Sequence, residues 1–257
     1  MSVAGESIAG AIRRAAAHHR VALVGYLTAG FPARQRFREH LLAIASAADV
    51  VEIGVPFTDP MADGMTIQRA SHQALQAGVT LAWILEELAA LEPRPAAPLL
   101  LMSYLNPLLA FGLQRLSAAA AQSGVAGLIV PDLPHEESED LKRALNEHRI
   151  ALVQMVTPVT PPERLKVLCR ASQGFVYAVT MTGTTGKTVA VPQGVIEYLD
   201  RARAASELPV CAGFGIRGPE QVRPLRGHVD GVVVGSALVE LLEQDGDPRT
   251  LLQSLRS

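Results

Sequence analysis

Two carboxylates, Glu52 and Asp63, stand eleven residues apart in the segment VEIGVPFTDPMADG, residues 51–64. Glu52 lies in an apolar run, residues 49–54, that reads as a short buried strand, where an ionised side chain is costly without a partner or a task. Asp63 follows on a loop stiffened by Pro56 and Pro60 and ended by Gly64, and rigid loops at strand ends are where reactive side chains gather. Burial raises a carboxyl's pKa, so Glu52 is a candidate to hold a proton near neutral pH, and two carboxyls in different environments can divide acid and base work. A structural acid tied to a backbone amide or an arginine is the competing reading of Glu52.

The elements that must position this pair follow from periodicity. Apolar runs alternate with helical patterns, predicting strands over residues 21–27, 50–54, 99–104, 127–130, 151–156, 175–180, 209–212 and 231–234. Helices are predicted over 6–19, 35–47, 81–91, 113–123, 137–148, 162–171, 194–205, 219–225 and 237–243. Eight βα units in 257 residues fit a single α/β domain, a (β/α)8 TIM barrel over 1–257, better than an open doubly wound sheet. The segments at the start and after Asp247 become extra N-terminal and C-terminal helices over the barrel ends, and the Pro-rich patch at 92–98 is a helix-to-strand connection. Reactive groups of such barrels gather at the C-terminal ends of the strands, and Glu52, Tyr104 and Asp132 all fall at or near one.

Composition narrows the partners. A formal charge of −2 provides no basic field for nucleic acid, and no apolar stretch approaches the length that crosses a bilayer. The N-terminus lacks a signal-peptide core, because Arg13 and Arg14 interrupt it, so a cytoplasmic location is expected. Cys169 and Cys211 are too far apart in sequence for a metal motif and read as packed, reduced thiols. His40, His72 and His148 fall in polar helical stretches and read as surface residues, and His135-Glu136-Glu137 lacks the second histidine of a zinc helix. No metal is expected.

Three glycine clusters follow the sixth, seventh and eighth predicted strands: TGTTG at 182–186, GFG at 213–215, and Gly235-Ser236. Glycine lets backbone approach an anion closely, and a helix starting at Ser236 offers free N–H groups, with Ser236 itself able to cap it. Loops after strands seven and eight are the usual phosphate seat of this fold. The run Gly186-Lys187-Thr188 imitates the end of a nucleotide-binding P-loop, but Met181 stands where that motif needs its first glycine. Residues 182–192 read instead as a flap over the mouth of the barrel.

At this point the chain resembles the α-subunit family of tryptophan synthase. The resemblance runs from Val21 to Leu242 and is carried by residues 51–64 with Ile67-Gln68, by Tyr104-Leu105-Asn106-Pro107, by Val130-Pro131-Asp132-Leu133-Pro134, by Thr185-Gly186, by Gly213-Phe214-Gly215-Ile216 and by Gly235-Ser236-Ala237. Met65, Thr184 and Phe31 depart from it, standing where the family usually has a proline, an apolar residue and an aspartate.

The resemblance implies a lyase that cleaves indole-3-glycerol phosphate to indole and glyceraldehyde 3-phosphate by a retro-aldol route without cofactor or metal. It implies Glu52 and Asp63 as catalytic residues and Tyr26 in the wall of the indole pocket. Tyr104 would lie near the glycerol, Thr185 would order the flap over Asp63, and Gly186, Gly215, Gly235 and Ser236 would hold the phosphate. Asp132 reads as a turn or interface residue. The resemblance also implies a β subunit, a pyridoxal-phosphate enzyme that takes up the indole, in an α2β2 heterotetramer, with the loop after Glu52 as docking surface. A free-standing lyase, a weakly active regulatory subunit and a related phosphosugar isomerase or epimerase are the alternatives.

Overall fold

Strand side chains alternate between two faces, so a strand that closes into a barrel sends every second residue inward. The computed structural model describes residues 5–18, 20–180, 191–213 and 215–256. Its strands are β1 (Ala22–Thr28), β2 (Val50–Gly54), β3 (Leu99–Met102), β4 (Val125–Ile129), β5 (Ala151–Val156), β6 (Val176–Val179), β7 (Val210–Gly213) and β8 (Gly231–Val234). All pair in parallel in sequence order, and β8 pairs back to β1, closing the barrel. The expected (β/α)8 barrel is therefore what forms.

Alternation sorts the core into two layers. Val24, Val50, Leu100, Ile129, Val153, Phe175 and Val233 belong to one buried cluster inside the barrel. Their chain neighbours, such as Leu23, Val51, Leu101, Leu128, Leu152, Val176 and Val232, belong to a second cluster shared with the helices. Glu52 has the parity of Val50, so it points inward; a slip of one residue would turn it toward the helices instead.

The helices are α1 (Glu6–Ala17), α2 (Phe37–Ala45), α3 (Met65–Gln76), α4 (Leu81–Ala89), α5 (Leu105–Phe111), α6 (Leu113–Gln122), α7 (Glu139–Glu147), α8 (Pro162–Ala171), α9 (Gln193–Ala205), α10 (Pro219–Val222), α11 (Ser236–Glu243) and α12 (Pro248–Ser254). α1 plugs the N-terminal end of the barrel: Ile8 and Ile12 are fully buried with the interior cluster. Gly5, just before it, lies against the backbone of Gly174 below β6, leaving no room for a side chain there.

Two helices exceed the sequence reading. α3 carries few apolar residues and starts at Gly64 without a side-chain cap, and α5 is short, with Pro107 in its first turn. Neither offers the periodic stripe or capping signal by which a helix is read from sequence. One histidine assignment is overturned: His72 and His148 are exposed, whereas His40 is buried. His40 shares the face of α2 formed by Phe37, Leu41 and Ile44, and its buried Nδ1 has no hydrogen-bond partner among the described residues. Burial, with Arg36 second, holds its pKa below the usual histidine range, so the ring sits in the core neutral. Cys169 and Cys211 are free and buried, as expected.

Close packing of α2 on β1 depends on a missing side chain. A Cβ on Gly25 would lie 2.6 Å from Ile44 Cγ2 and 3.4 Å from the Ala48 methyl. Gly25→Ala is expected to lower unfolding free energy by about 1–3 kcal/mol through overpacking, read from a lower denaturant midpoint at unchanged slope. Combining it with Ile44→Ala should cost less than the sum of the two single changes; strict additivity would show that α2 does not bear on Gly25.

Candidate functional site

The mouth of the barrel joins three groups of residues in one cavity. Glu52 and Asp63 face it together with Tyr26, Met102, Tyr177 and Val233 from the strands. Gly64 and Ile67 border it at the start of α3, and Gly215, Gly235 and Ser236, from the loops after β7 and β8, complete its lining. β1 and β2 are in register with Tyr26 beside Glu52, so the phenol ring and the carboxyl are neighbours across the sheet.

Glu52 is 1% exposed, and its Oε2 has no hydrogen-bond partner among the described residues. Removal from water, reinforced by the charge of Asp63, pushes its pKa up to about 8. Among the described residues no arginine acts on its charge, as the alternative of a structural acid held by an arginine would require. Asp63, half-buried at the rim, is raised by burial to about 6, against the opposing hydrogen bond from Tyr104. Between these values Glu52 carries a proton while Asp63 is ionised.

Tyr104 fixes the loop that carries Asp63. Its hydroxyl donates to Asp63 Oδ2 at 3.2 Å and accepts from the Ala62 N–H at 2.9 Å, while its ring stacks on Phe57 at 5.1 Å between centroids. Gln68 adds a bond from Nε2 to the Asp63 carbonyl at 2.8 Å. Tyr104 therefore touches the loop at three residues, which its place at the end of β3 did not reveal. Asp132 is a loop tie: its Oδ1 accepts from the Leu105 N–H at 2.9 Å, joining the loop after β4 to the start of α5.

Gly215, Gly235 and Ser236 line the same cavity, and the expected cap at Ser236 needs one correction. Gly235, not Ser236, is the N-cap of α11, and no side-chain cap bond forms there. The Gly235 carbonyl accepts from the Leu238 and Val239 N–H groups at 2.9 and 3.1 Å. Ser236 is the first helical residue, so the N–H groups of Ser236 and Ala237 lack acceptors within the helix. Gly215 adopts φ +83°, a left-handed conformation that a side chain would strain, and its carbonyl accepts from Gln221 Nε2 at 2.7 Å. Thr185, Gly186, Phe214 and all of the expected flap (182–192) except Val191 and Pro192 lie outside the described residues.

Sequence reasoning missed Tyr177, Met102, Ile67 and Val233 as cavity walls. Strand parity held the signal for three of them, since Met102 pairs with the inward series of β3, Tyr177 with that of β6 and Val233 with that of β8. Ile67 had no such signal, because α3 itself was not read. Tyr26 is buried, its hydroxyl hydrogen-bonded to Thr28 Oγ1 at 3.2 Å and packed against the bare Gly54 backbone. Phe31 is buried in one cluster with Tyr26, Ala70 and Val239 and supports that wall.

This cavity can be set beside known proteins. The family model described as tryptophan synthase alpha chain matches residues 12–256. The chain belongs to that family. A tryptophan synthase alpha chain of Desulfovibrio desulfuricans is 46% identical over 236 residues, covering 91% of this chain and 92% of the relative. One of Nitratidesulfovibrio vulgaris is 43% identical and covers 95% of each chain. Among solved structures, tryptophan synthase of Mycobacterium tuberculosis superposes with a TM-score of 0.88 at 36% identity, covering 97% of this chain and 96% of that one. Cleavage of indole-3-glycerol phosphate in tryptophan biosynthesis is the role of the tryptophan synthase alpha chain family, and the chain is a lyase of that kind.

The Glu52 pKa makes stability depend on pH with a definite sign. The folded state binds this proton more tightly than the unfolded chain, whose carboxyl titrates near 4.5, so stability is full below that pH and is lost as pH rises through about 8. Glu52→Gln removes the penalty. Its melting temperature should gain on that of the parent protein between pH 6 and pH 9, and an unchanged difference would show the Glu52 carboxylate to be solvated or paired in the folded state.

Proposed function

We propose that Glu52 is both acid and base in a retro-aldol cleavage of indole-3-glycerol phosphate that uses only side chains and no cofactor. The supporting observation is the pairing of a buried, protonated Glu52 with an ionised Asp63 in one cavity that Gly215, Gly235 and Ser236 also line. Glu52 delivers its proton to indole C3, and the ring becomes a cationic indolenine whose N–H donates to the Asp63 carboxylate. The Glu52 carboxylate then takes the proton of the glycerol hydroxyl next to the C3 bond. That bond breaks, its electron pair restores the indole ring, and the aldehyde of glyceraldehyde 3-phosphate forms. Glu52 ends each cycle protonated, as it began.

Tyr26, Met102 and Tyr177 form the apolar walls for the indole, and Tyr104 aims Asp63 through its hydrogen bond. Phosphate would lie against the backbone of Gly186, Gly215 and Gly235 and at Ser236, with Thr185 over Asp63. The reaction class is that of an aldehyde lyase splitting a carbon–carbon bond.

A β subunit is the proposed partner, in an α2β2 assembly. Around the mouth Met61 is 91% exposed, Met65 79%, Val159 84% and Leu109 52%, a set of apolar side chains on the face from which indole would leave. Within the loop after Glu52, Val55 and Pro56 turn out buried and Phe57 is stacked on Tyr104, so of its large apolar side chains Met61 is the one that stands exposed, beside the exposed Thr58, Asp59 and Ala62.

The test is indole release from indole-3-glycerol phosphate by the purified chain, alone and with its β subunit. Release that rises many-fold with the partner supports the subunit reading; equal release alone points to a free-standing lyase. Glu52→Gln is expected to lower kcat by about 10³-fold or more and Asp63→Asn by about 10²-fold, both with the fold intact. Near-normal turnover by either variant would remove that residue from the mechanism.

kcat/KM of the parent protein should be bell-shaped, falling below about pH 6 as Asp63 gains a proton and above about pH 8 as Glu52 loses one. In Asp63→Asn the alkaline limb should move to lower pH, because the charge that helps raise the Glu52 pKa is gone. An alkaline limb that stays in place would show that Glu52 does not sense Asp63.

A further inference from the structure

Glu240 lies one helical turn beyond Ser236 on α11 and joins three segments of the barrel mouth. Its Oε1 accepts from the Thr66 hydroxyl at 2.9 Å and from Arg217 Nη2 at 2.9 Å, and its Oε2 accepts from Arg217 Nη1 at 2.7 Å. Thr66 stands three residues past Asp63, in the first turn of α3, and Arg217 stands two residues past Gly215, on the loop after β7. One carboxylate thus spans the Asp63 loop and both sides of the phosphate seat.

The surrounding bonds make each arm stiff. Gln221 Oε1 accepts from the Arg217 backbone N–H at 2.6 Å while its Nε2 holds the Gly215 carbonyl, so Arg217 cannot shift without Gly215. On the other arm, Gln68 ties α3 to the Asp63 carbonyl, and Arg69 pairs with Glu243 in a second bond between α3 and α11. The side chain of Glu240 is 32% exposed and that of Arg217 55%, so the pair is open to solvent and adds little to global stability. Its planar two-bond geometry does fix direction, and small misplacements of a reacting group can cost a hundredfold in rate.

We propose that Glu240 is a positioning residue that couples occupancy of the phosphate seat to the aim of Asp63. A phosphate drawn against Gly215 and the start of α11 fixes the β7 loop and α11 relative to each other, and Glu240 carries that arrangement through Thr66 into the turn that follows Asp63. This rests on the proposed roles of Asp63 and of the seat.

The experiment compares indole release from indole-3-glycerol phosphate and from its dephosphorylated form, indole-3-glycerol, in the parent protein, Glu240→Gln, Thr66→Val and the double variant. In Glu240→Gln the kcat for the phosphorylated substrate should fall about tenfold while that for indole-3-glycerol stays within twofold, and KM should change less than kcat. Thr66→Val should show the same selective loss, and the double variant should be no slower than Glu240→Gln alone, because both changes cut one connection. Equal slowing of both substrates would reduce Glu240 to a structural tie, and an unchanged ratio of the two rates would overturn the coupling. So would a gain in affinity alone, which would mean that Glu240 merely withholds Arg217 from the phosphate. A full rate in Asp63→Asn would instead strike the role of Asp63, and an unmodified protein that cleaves neither substrate would overturn both readings.

Discussion

A carboxyl sealed among apolar staves is the constraint on which the site depends. Glu52 occupies an inward position of β2, where the layers below it are Val24, Val50, Leu100 and their neighbours. Removing such a group from water without a cation is unfavourable to the ion and neutral to the acid, so the barrel itself selects the protonated form. Nothing more elaborate is required to keep a proton on a glutamate near neutral pH. The requirement falls instead on the barrel, which must close without a register error, since a shift of one residue would exchange Glu52 for a valine or an isoleucine.

The second carboxyl obeys a different logic. Asp63 is at the rim, on a loop whose shape is set by contacts to other segments rather than by a strand. Tyr104 from the end of β3, Gln68 from α3 and, through Thr66, Glu240 from α11 all bear on the short stretch around it. Chemistry that needs one neutral and one charged carboxyl is thereby divided between a rigid, dry wall and a braced, wetter rim. Among the described residues the opposite end of the barrel shows no such arrangement: there α1 packs against the strand starts.

Much of this was legible in the chain. The eight strands could be read from apolar runs and turn residues, and most helices from their stripes, because β-branched runs and amphipathic periodicity report local burial directly. Glu52 and Asp63 stood out because a carboxylate in an apolar run and an aspartate between prolines are locally anomalous. Contacts distant in sequence could not be read in that way. The bond of Tyr104 to Asp63 spans 41 residues and that of Thr66 to Glu240 spans 174, and no local pattern encodes either. His40 was a different failure: it stood on the apolar face of α2 at helical spacing, but the polar residues around it hid that face. The cap of α11 went to Gly235 because serine's capping tendency applies only where the helix starts one residue later.

The plug at the N-terminal end has a consequence for the traffic of protons. With Ile8 and Ile12 filling the bottom of the barrel, the Glu52 carboxyl has its mouth as the way to bulk water, and on the proposed route that mouth is filled by substrate during each turnover. The hydrogen that Glu52 takes from the glycerol hydroxyl then stays on the enzyme until product leaves. It becomes the hydrogen handed to indole C3 in the following cycle unless solvent exchanges it in the interval. On the proposed route, a barrel closed at one end thus confines proton exchange between Glu52 and bulk water to the interval in which the site stands open between two turnovers.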